Sequence, residues 1–132
     1  MGEEIFQLSD MAHAEGVRRA PYELWNGKRC WVWGLTIREY LKLQREARRR
    51  LPDGSEVFDE ERYIICRFID CVRDSDGPEA KPIFNRQEHY EWLAQRDVKT
   101  IEGAVALSMK LSGELEEGED FFPGSGGGST SG

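Results

Sequence analysis

The amino-acid sequence predicts an α+β domain in which a short N-terminal β-hairpin packs on a bundle of three to four α-helices. Asn26-Gly27 lies between two runs rich in aromatic residues. This dipeptide favours a two-residue type I′ turn, because both central residues need positive φ. Soon afterwards, Thr36 and Glu39 have the spacing of a capping box, which marks the start of a helix. The two signals together place a hairpin at 22–33 and helices after it.

The segment before the hairpin is compatible with two structures. A strand could begin around Phe6 and Leu8, or Ser9-Asp10 could cap a short helix. With 132 residues the chain has room for one domain with a modest core. We therefore predict a lead-in over 1–21, a single α+β domain over 22–113 and a C-terminal tail over 114–132.

The turn at Asn26-Gly27 sets the expected faces of the hairpin. A two-residue turn pairs Tyr22 with Trp31, and side chains alternate along each strand. Trp31 and Trp33 then share the face that we expect to pack on the helices as core. Trp25 lies at the turn and is the best candidate for an exposed anchor. The residues of the opposite face that we expect to be available for more chain or a partner are Trp25, Cys30 and Val32.

Apolar residues recur at helical spacing in four later segments. Helix two should bury Phe68 and expose Arg67, and helix four should bury both Val98 and Ile101. The predicted spans are 36–50 for helix one, 59–73 for helix two, a helix after Asn85 to about 95, and a last helix from Asp97 to a stop at Gly113.

Helix one carries a basic stripe on its outer side, and it allows three interpretations. It can be a solvated face balanced by Glu39 and Glu46. It can also be a dock for an acidic partner segment, such as the chain's own tail, or a nucleic-acid contact. The stripe consists of Arg38, Lys42, Arg45 and Arg49.

The excess charge of the chain lies in its tail. The net charge is −7, and residues 114–132 hold five acidic and no basic residues, which leaves −2 for residues 1–113. A nearly neutral body argues against general nucleic-acid binding. Phe121-Phe122 in the tail is either a short docking motif or a non-specific apolar end. The Gly/Ser/Thr-only segment 124–132 is a natural linker, a junction, or an added terminal sequence.

The sequence offers no evident catalytic, metal or cofactor site. The three cysteines, Cys30, Cys66 and Cys71, lack metal-ligand spacing and read as buried reduced thiols. The turn at 74–77 begins like a calcium loop, but Pro78 and Glu79 break the pattern. No phosphate-binding glycine motif, signal peptide or membrane-spanning run is evident. We therefore expect a non-enzymatic cytosolic protein without a cofactor.

The order of elements resembles that of the tail assembly chaperones of long-tailed, siphovirus-like bacteriophages. In those proteins a short hairpin, matched here by Tyr22–Trp33, precedes a Gly-Leu-Thr step into a charged helix, matched by Gly34–Glu39. An apolar helix ending in an Asp-x-Asp-Gly-like turn follows, as in Cys66–Gly77. An Ile/Leu-Phe pair, here Ile83-Phe84, then introduces two more helices, the last of which ends in Leu-Ser-Gly at 111–113.

The resemblance covers residues 5–113 and depends on the order and spacing of its motifs. It implies a protein that binds the tape-measure protein, keeps its long helices soluble and recruits tail-tube subunits. It also implies that the protein acts in the host cytoplasm, is absent from the mature virion and has no catalytic residues. Self-association is a further expectation. The alternative is a small adaptor or anti-host protein that binds an acidic partner through the basic stripe.

Overall fold

The structure, a computed structural model, describes residues 4–115. A 3₁₀ helix (Leu8–His13) leads into a hairpin and four helices, with a second small hairpin between the first two helices. The strands are β1 (Arg19–Glu23), β2 (Arg29–Trp33), β3 (Arg48–Arg50), β4 (Glu56–Phe58) and β5 (Val72–Arg73). The helices are α1 (Ile37–Glu46), α2 (Glu60–Cys71), α3 (Arg86–Ala94) and α4 (Val98–Leu111). This architecture confirms the predicted α+β class with an N-terminal hairpin.

The hairpin turn has the predicted type but a different register. Asn26 and Gly27 both have positive φ, 61° and 70°, and the amide of Lys28 donates to the carbonyl oxygen of Trp25. The amide of Leu24 also donates to the carbonyl oxygen of Lys28, so two residues of one strand face one residue of the other. This arrangement is a β-bulge. It shifts the pairing by one residue, to Tyr22 with Cys30.

The one-residue shift exchanges the two faces of β2 relative to β1, so that Cys30 and Val32, instead of Trp31 and Trp33, share the inner face with Tyr22. Cys30 and Val32 are buried in the core, whereas Trp31 and Trp33 are half-buried on the outer face. The prediction that Trp31 and Trp33 form the core is therefore wrong. Trp33 instead lies between the guanidinium groups of Arg19 and Arg73, 4.4 and 4.8 Å from its ring centroid. These cation–π contacts stabilise the position of a tryptophan that lies outside the core.

Strand β2 is the centre of a three-stranded antiparallel sheet in the order β1-β2-β5. Its inner face packs on α4, which also contacts the central helix α2. Helix α2 contacts α1 and α3 as well. A β-carbon at Gly103 of α4 would clash with the hydroxyl of Tyr22, which explains why glycine lies there. The largest apolar side chains that are fully buried are Phe68, Leu43, Leu93, Val32, Val72 and Val105.

Helix α1 begins as predicted and ends earlier. Thr36 and Glu39 form both hydrogen bonds of the capping box. The helix ends at Glu46, and Arg48–Arg50, predicted to be its last turn, pairs with Glu56–Phe58 as a two-stranded ribbon. The amide of Asp59 donates to the carbonyl oxygen of Ala47 at 2.6 Å. This hydrogen bond closes the open end of the ribbon, where the chain leaves α1 and enters α2.

The last two helices have defined ends. Asn85 and Asp97 cap α3 and α4 by accepting hydrogen bonds from Glu88 and Thr100 amides. After α4, Gly113 has φ +79° and its amide donates to the carbonyl oxygen of Lys110. The amide of Glu114 donates to Met109, which completes a Schellman motif. Glu114, predicted to belong to the tail, therefore belongs to the folded body.

Candidate protein-binding surface

The structure removes two residues from the predicted partner-binding surface. Cys30 and Val32 are only 2% and 0% exposed, and both belong to the main core cluster. Burial also raises the pKa of the Cys30 thiol to about 11, so the group stays protonated at neutral pH. Their prediction as partner contacts is wrong, because it depended on the unshifted register of the hairpin.

Trp25 is half-buried and forms part of the fold. Its indole lies 5.3 Å from the ring of Trp92, edge to face, and 6.1 Å from Phe68. Its Nε1 donates to a carboxylate oxygen of Asp97 at 2.8 Å. This hydrogen bond is the main reason why the pKa of Asp97 is lowered to about 2. Trp25 thus joins the hairpin to the start of α4 and is not a free anchor.

The basic stripe is shorter than predicted. Arg38, Lys42 and Arg45 lie exposed on α1, but Arg49 is on β3 and forms a long ion pair with Asp59, at 3.8 Å. Within residues 4–115, none of the three cations on α1 forms a salt bridge. Among the described residues, no acidic group therefore occupies the stripe. Phe121 and Phe122, the predicted docking pair, lie outside the described residues.

A groove that the sequence reading missed lies between α2, α3 and the start of α4. Its volume is about 320 Å³. Leu93, Ile65 and Ile101 form a buried floor, and Ile64 is half-buried beside them. Val98 at the lip is 65% exposed, which contradicts its prediction as an inward residue. As the first residue of α4, it lies beside the capping turn instead of over the core.

The rim of the groove is acidic. Glu60, Glu61 and Glu102 line it, together with Asp97 and Arg96. Burial raises the pKa of Glu102, and the nearby negative charge of Glu60 raises it further. Glu61 accepts a hydrogen bond from the hydroxyl of Tyr90 at 3.0 Å. A cation placed at this rim would relieve the repulsion between the carboxylates.

An apolar floor with an acidic rim suits a segment with aliphatic side chains flanked by lysine or arginine. Helix-in-groove recognition uses this combination of buried anchors and charged edges. Sequence periodicity identifies each helix but not how three helices pack, so the groove could be identified from the structure alone. The exposed Glu60-Glu61 pair was the only sequence signal near it.

Two further kinds of site are absent from the described part of the chain. Among residues 4–115, no group of three or more His, Cys, Asp or Glu side chains could hold a metal ion. No helix within these residues is both long and apolar enough to cross a bilayer.

Comparison of the chain with models of known protein families, with curated proteins and with solved structures finds no match.

Proposed function

We propose that this protein is a tail assembly chaperone of a long-tailed bacteriophage. It binds and solubilises the tape-measure protein and helps to recruit tail-tube subunits in the host cytoplasm, without catalysis and without entering the mature virion. The observation that best supports a helix-binding role is the groove between α2, α3 and α4, with its apolar floor and acidic rim. The phage-specific part depends on the resemblance in the order of elements.

The proposed mechanism is reversible shielding of apolar helix faces. An amphipathic segment of the tape-measure protein places aliphatic side chains on Leu93, Ile65 and Ile101, while its lysine or arginine residues meet Glu60 and Glu102. Covering the apolar face keeps the client from aggregating. The rim charges make the complex reversible and salt-dependent, since they remain close to solvent.

Co-expression with the tape-measure protein tests this function. The soluble fraction of that protein should rise with the wild-type chain and should rise much less with Val98→Glu, which adds a charge to the apolar lip. A glutamate at the first position of α4 suits the helix dipole, so the fold should tolerate it. Lys99→Glu is the control at the neighbouring position, because residue 99 is exposed and does not line the groove. It changes the net charge more than Val98→Glu does, so an effect of charge alone would be larger for the control.

Two results would refute the chaperone proposal. One is an unchanged solubility of the tape-measure protein in the presence of the wild-type chain. The other is an equal response to Val98→Glu and Lys99→Glu, which would show that the groove is not the binding surface.

An adaptor that binds an acidic partner through α1 is the second candidate. The exposed Arg38, Lys42 and Arg45, which have no salt bridge within residues 4–115, favour it. Binding of this kind would be lost at high salt and on Arg45→Glu, but it would be insensitive to Val98→Glu. Pull-down of host or phage proteins with these two variants separates the adaptor from the chaperone.

A further inference from the structure

The outer face of α1 combines apolar and basic side chains. Ile37 and Leu41, one turn apart, are 72% and 46% exposed. Arg38, Lys42 and Arg45 lie on the same exposed side. These two adjacent aliphatic side chains form a small exposed apolar patch, and the flanking cations give the face a positive charge.

This face cannot reach the groove of its own chain. The opposite side of α1 is buried, with Leu43 and Ala47 in one cluster with Tyr63 and Cys66 of α2. Helix α2 also forms one wall of the groove, through Ile64 and its neighbours. Since α1 packs on α2 with its buried side, its exposed side faces away from the molecule.

The two surfaces are complementary in both polarity and charge. The groove has an aliphatic floor, and three glutamates, Glu60, Glu61 and Glu102, outnumber the single arginine, Arg96, at its rim. The exposed side of α1 has two aliphatic side chains and three cations. We propose that α1 of one copy docks in the groove of a second copy of this chain, with Ile37 and Leu41 over the apolar floor.

Such an interface is heterologous, because it joins two different surfaces. Each bound copy presents a free groove at one end and a free α1 at the other, so assembly continues head to tail instead of stopping at a symmetric dimer. In the absence of a client, self-association covers the groove. This last point rests on the proposed function, whereas the self-association itself does not.

A charge exchange between the two surfaces tests the proposal in the full-length chain. One variant carries Arg38→Glu and Arg45→Glu, a second carries Glu60→Lys and Glu102→Lys, and a third carries all four changes. All four side chains are at least partly exposed, so the fold should tolerate them. Circular dichroism checks that it does.

Sedimentation equilibrium over a concentration series gives the readout. The average mass of the wild-type chain should rise with concentration at low salt, and this rise should be lost in about 0.5 M NaCl. Each two-site variant should associate at least about tenfold more weakly, because like charges then meet. The four-site variant should regain association, since its exchanged charges are complementary again. Glu79→Lys with Glu91→Lys, outside both surfaces, is the control for net charge.

Several outcomes would overturn the proposal. One is a wild-type chain that stays monomeric at low salt. If such a chain then associated when Glu116, Glu117 and Glu119 were neutralised, the tail and not a second copy would be the occupant of α1. Equal association of all variants, or no recovery in the four-site variant, would also overturn it. No tape-measure protein is present in this experiment. A chain that self-associates but fails to solubilise that protein therefore refutes the proposed function alone.

Discussion

Two arginine sites in this molecule use the same chemistry in different surroundings. Arg67 in α2 is fully buried and has one carboxylate partner, Glu114, at 2.7 and 2.9 Å. Arg86 in α3 is 31% exposed and has two carboxylate partners, Glu46 and Asp70, each reached by two hydrogen bonds. The half-exposed Arg86 site therefore has more carboxylate partners than the buried Arg67 site.

This difference in burial and in the number of partners indicates that the stability of the fold depends more on the Arg67 site than on the Arg86 site. Burial opposes the charge of both guanidinium groups. At Arg67, the hydrogen bonds that it donates to Glu114 and Tyr63, together with the charges of these two groups, outweigh burial and raise its pKa. Asp70 and Glu46 have the same effect at Arg86. Loss of one partner leaves Arg86 with another carboxylate and with solvent. Loss of Glu114 leaves Arg67, as far as the described part of the chain is concerned, with hydroxyl groups alone. A buried charge without its counter-ion is costly.

The largest effect is expected for Glu114→Gln. This change keeps the shape of the side chain but removes the counter-ion of Arg67, which among residues 4–115 then retains the hydroxyls of Tyr63, Ser108 and Ser112. The free energy of unfolding should fall by about 3 kcal/mol. Urea denaturation followed by tryptophan fluorescence measures it. Glu91→Gln, an exposed change on α3, should leave the midpoint unchanged.

Removing the buried charge itself should cost less. In Arg67→Met the apolar side chain fills part of the space, and Glu114, whose side chain is 21% exposed, keeps access to water. We expect a loss of about 2 kcal/mol in the free energy of unfolding. The double variant with Glu114→Gln should be more stable than Glu114→Gln alone, because no unpaired charge remains. A double variant that is less stable would contradict this account of the buried pair.

The sequence predicts local features of the fold, but it does not predict the long-range ion pairs of these two arginine sites. The Thr36–Glu39 capping box and the Asn26-Gly27 turn depend on residues three or fewer positions apart, and both are confirmed. The burial of Arg67 depends on Glu114, 47 residues later, whose position follows from the Schellman turn at Gly113. Helical periodicity alone therefore placed Arg67 outside.

The candidate surfaces likewise include features that the sequence predicts and features that it does not. Arg38, Lys42 and Arg45 were found because one helix face is readable from spacing. Cys30 and Val32 were misplaced because a single bulged residue at Trp25 reverses the faces of β2 relative to β1, and no local pattern predicts this bulge. The groove was missed because three helices that are distant in sequence form it.

At the half-exposed site, Asp70→Asn should have a smaller effect than Glu114→Gln. Arg86 keeps both hydrogen bonds to Glu46, at 2.6 and 2.7 Å, and water reaches the vacated side. The expected loss in the free energy of unfolding is about 1.5 kcal/mol, given partial burial. Thermal unfolding of the two variants in parallel makes the comparison. An equal or larger loss for Asp70→Asn would reverse the ranking of the two sites.

The smallest effect concerns the acid dependence of the same half-exposed site. Burial acts against ionisation of Glu46, but hydrogen bonds and charges from Arg86, with the charge of Arg62, outweigh it and lower its pKa below the ordinary 4.5. A carboxyl whose folded-state pKa is lowered stabilises the fold above its unfolded pKa, and this contribution is lost as the pH falls through the folded value. Glu46→Gln should therefore cost about 1 kcal/mol at pH 7 and progressively less below pH 4.5. Urea titrations across this range measure the difference, and a deficit independent of pH would mean that the Glu46 charge contributes nothing to the pairing with Arg86.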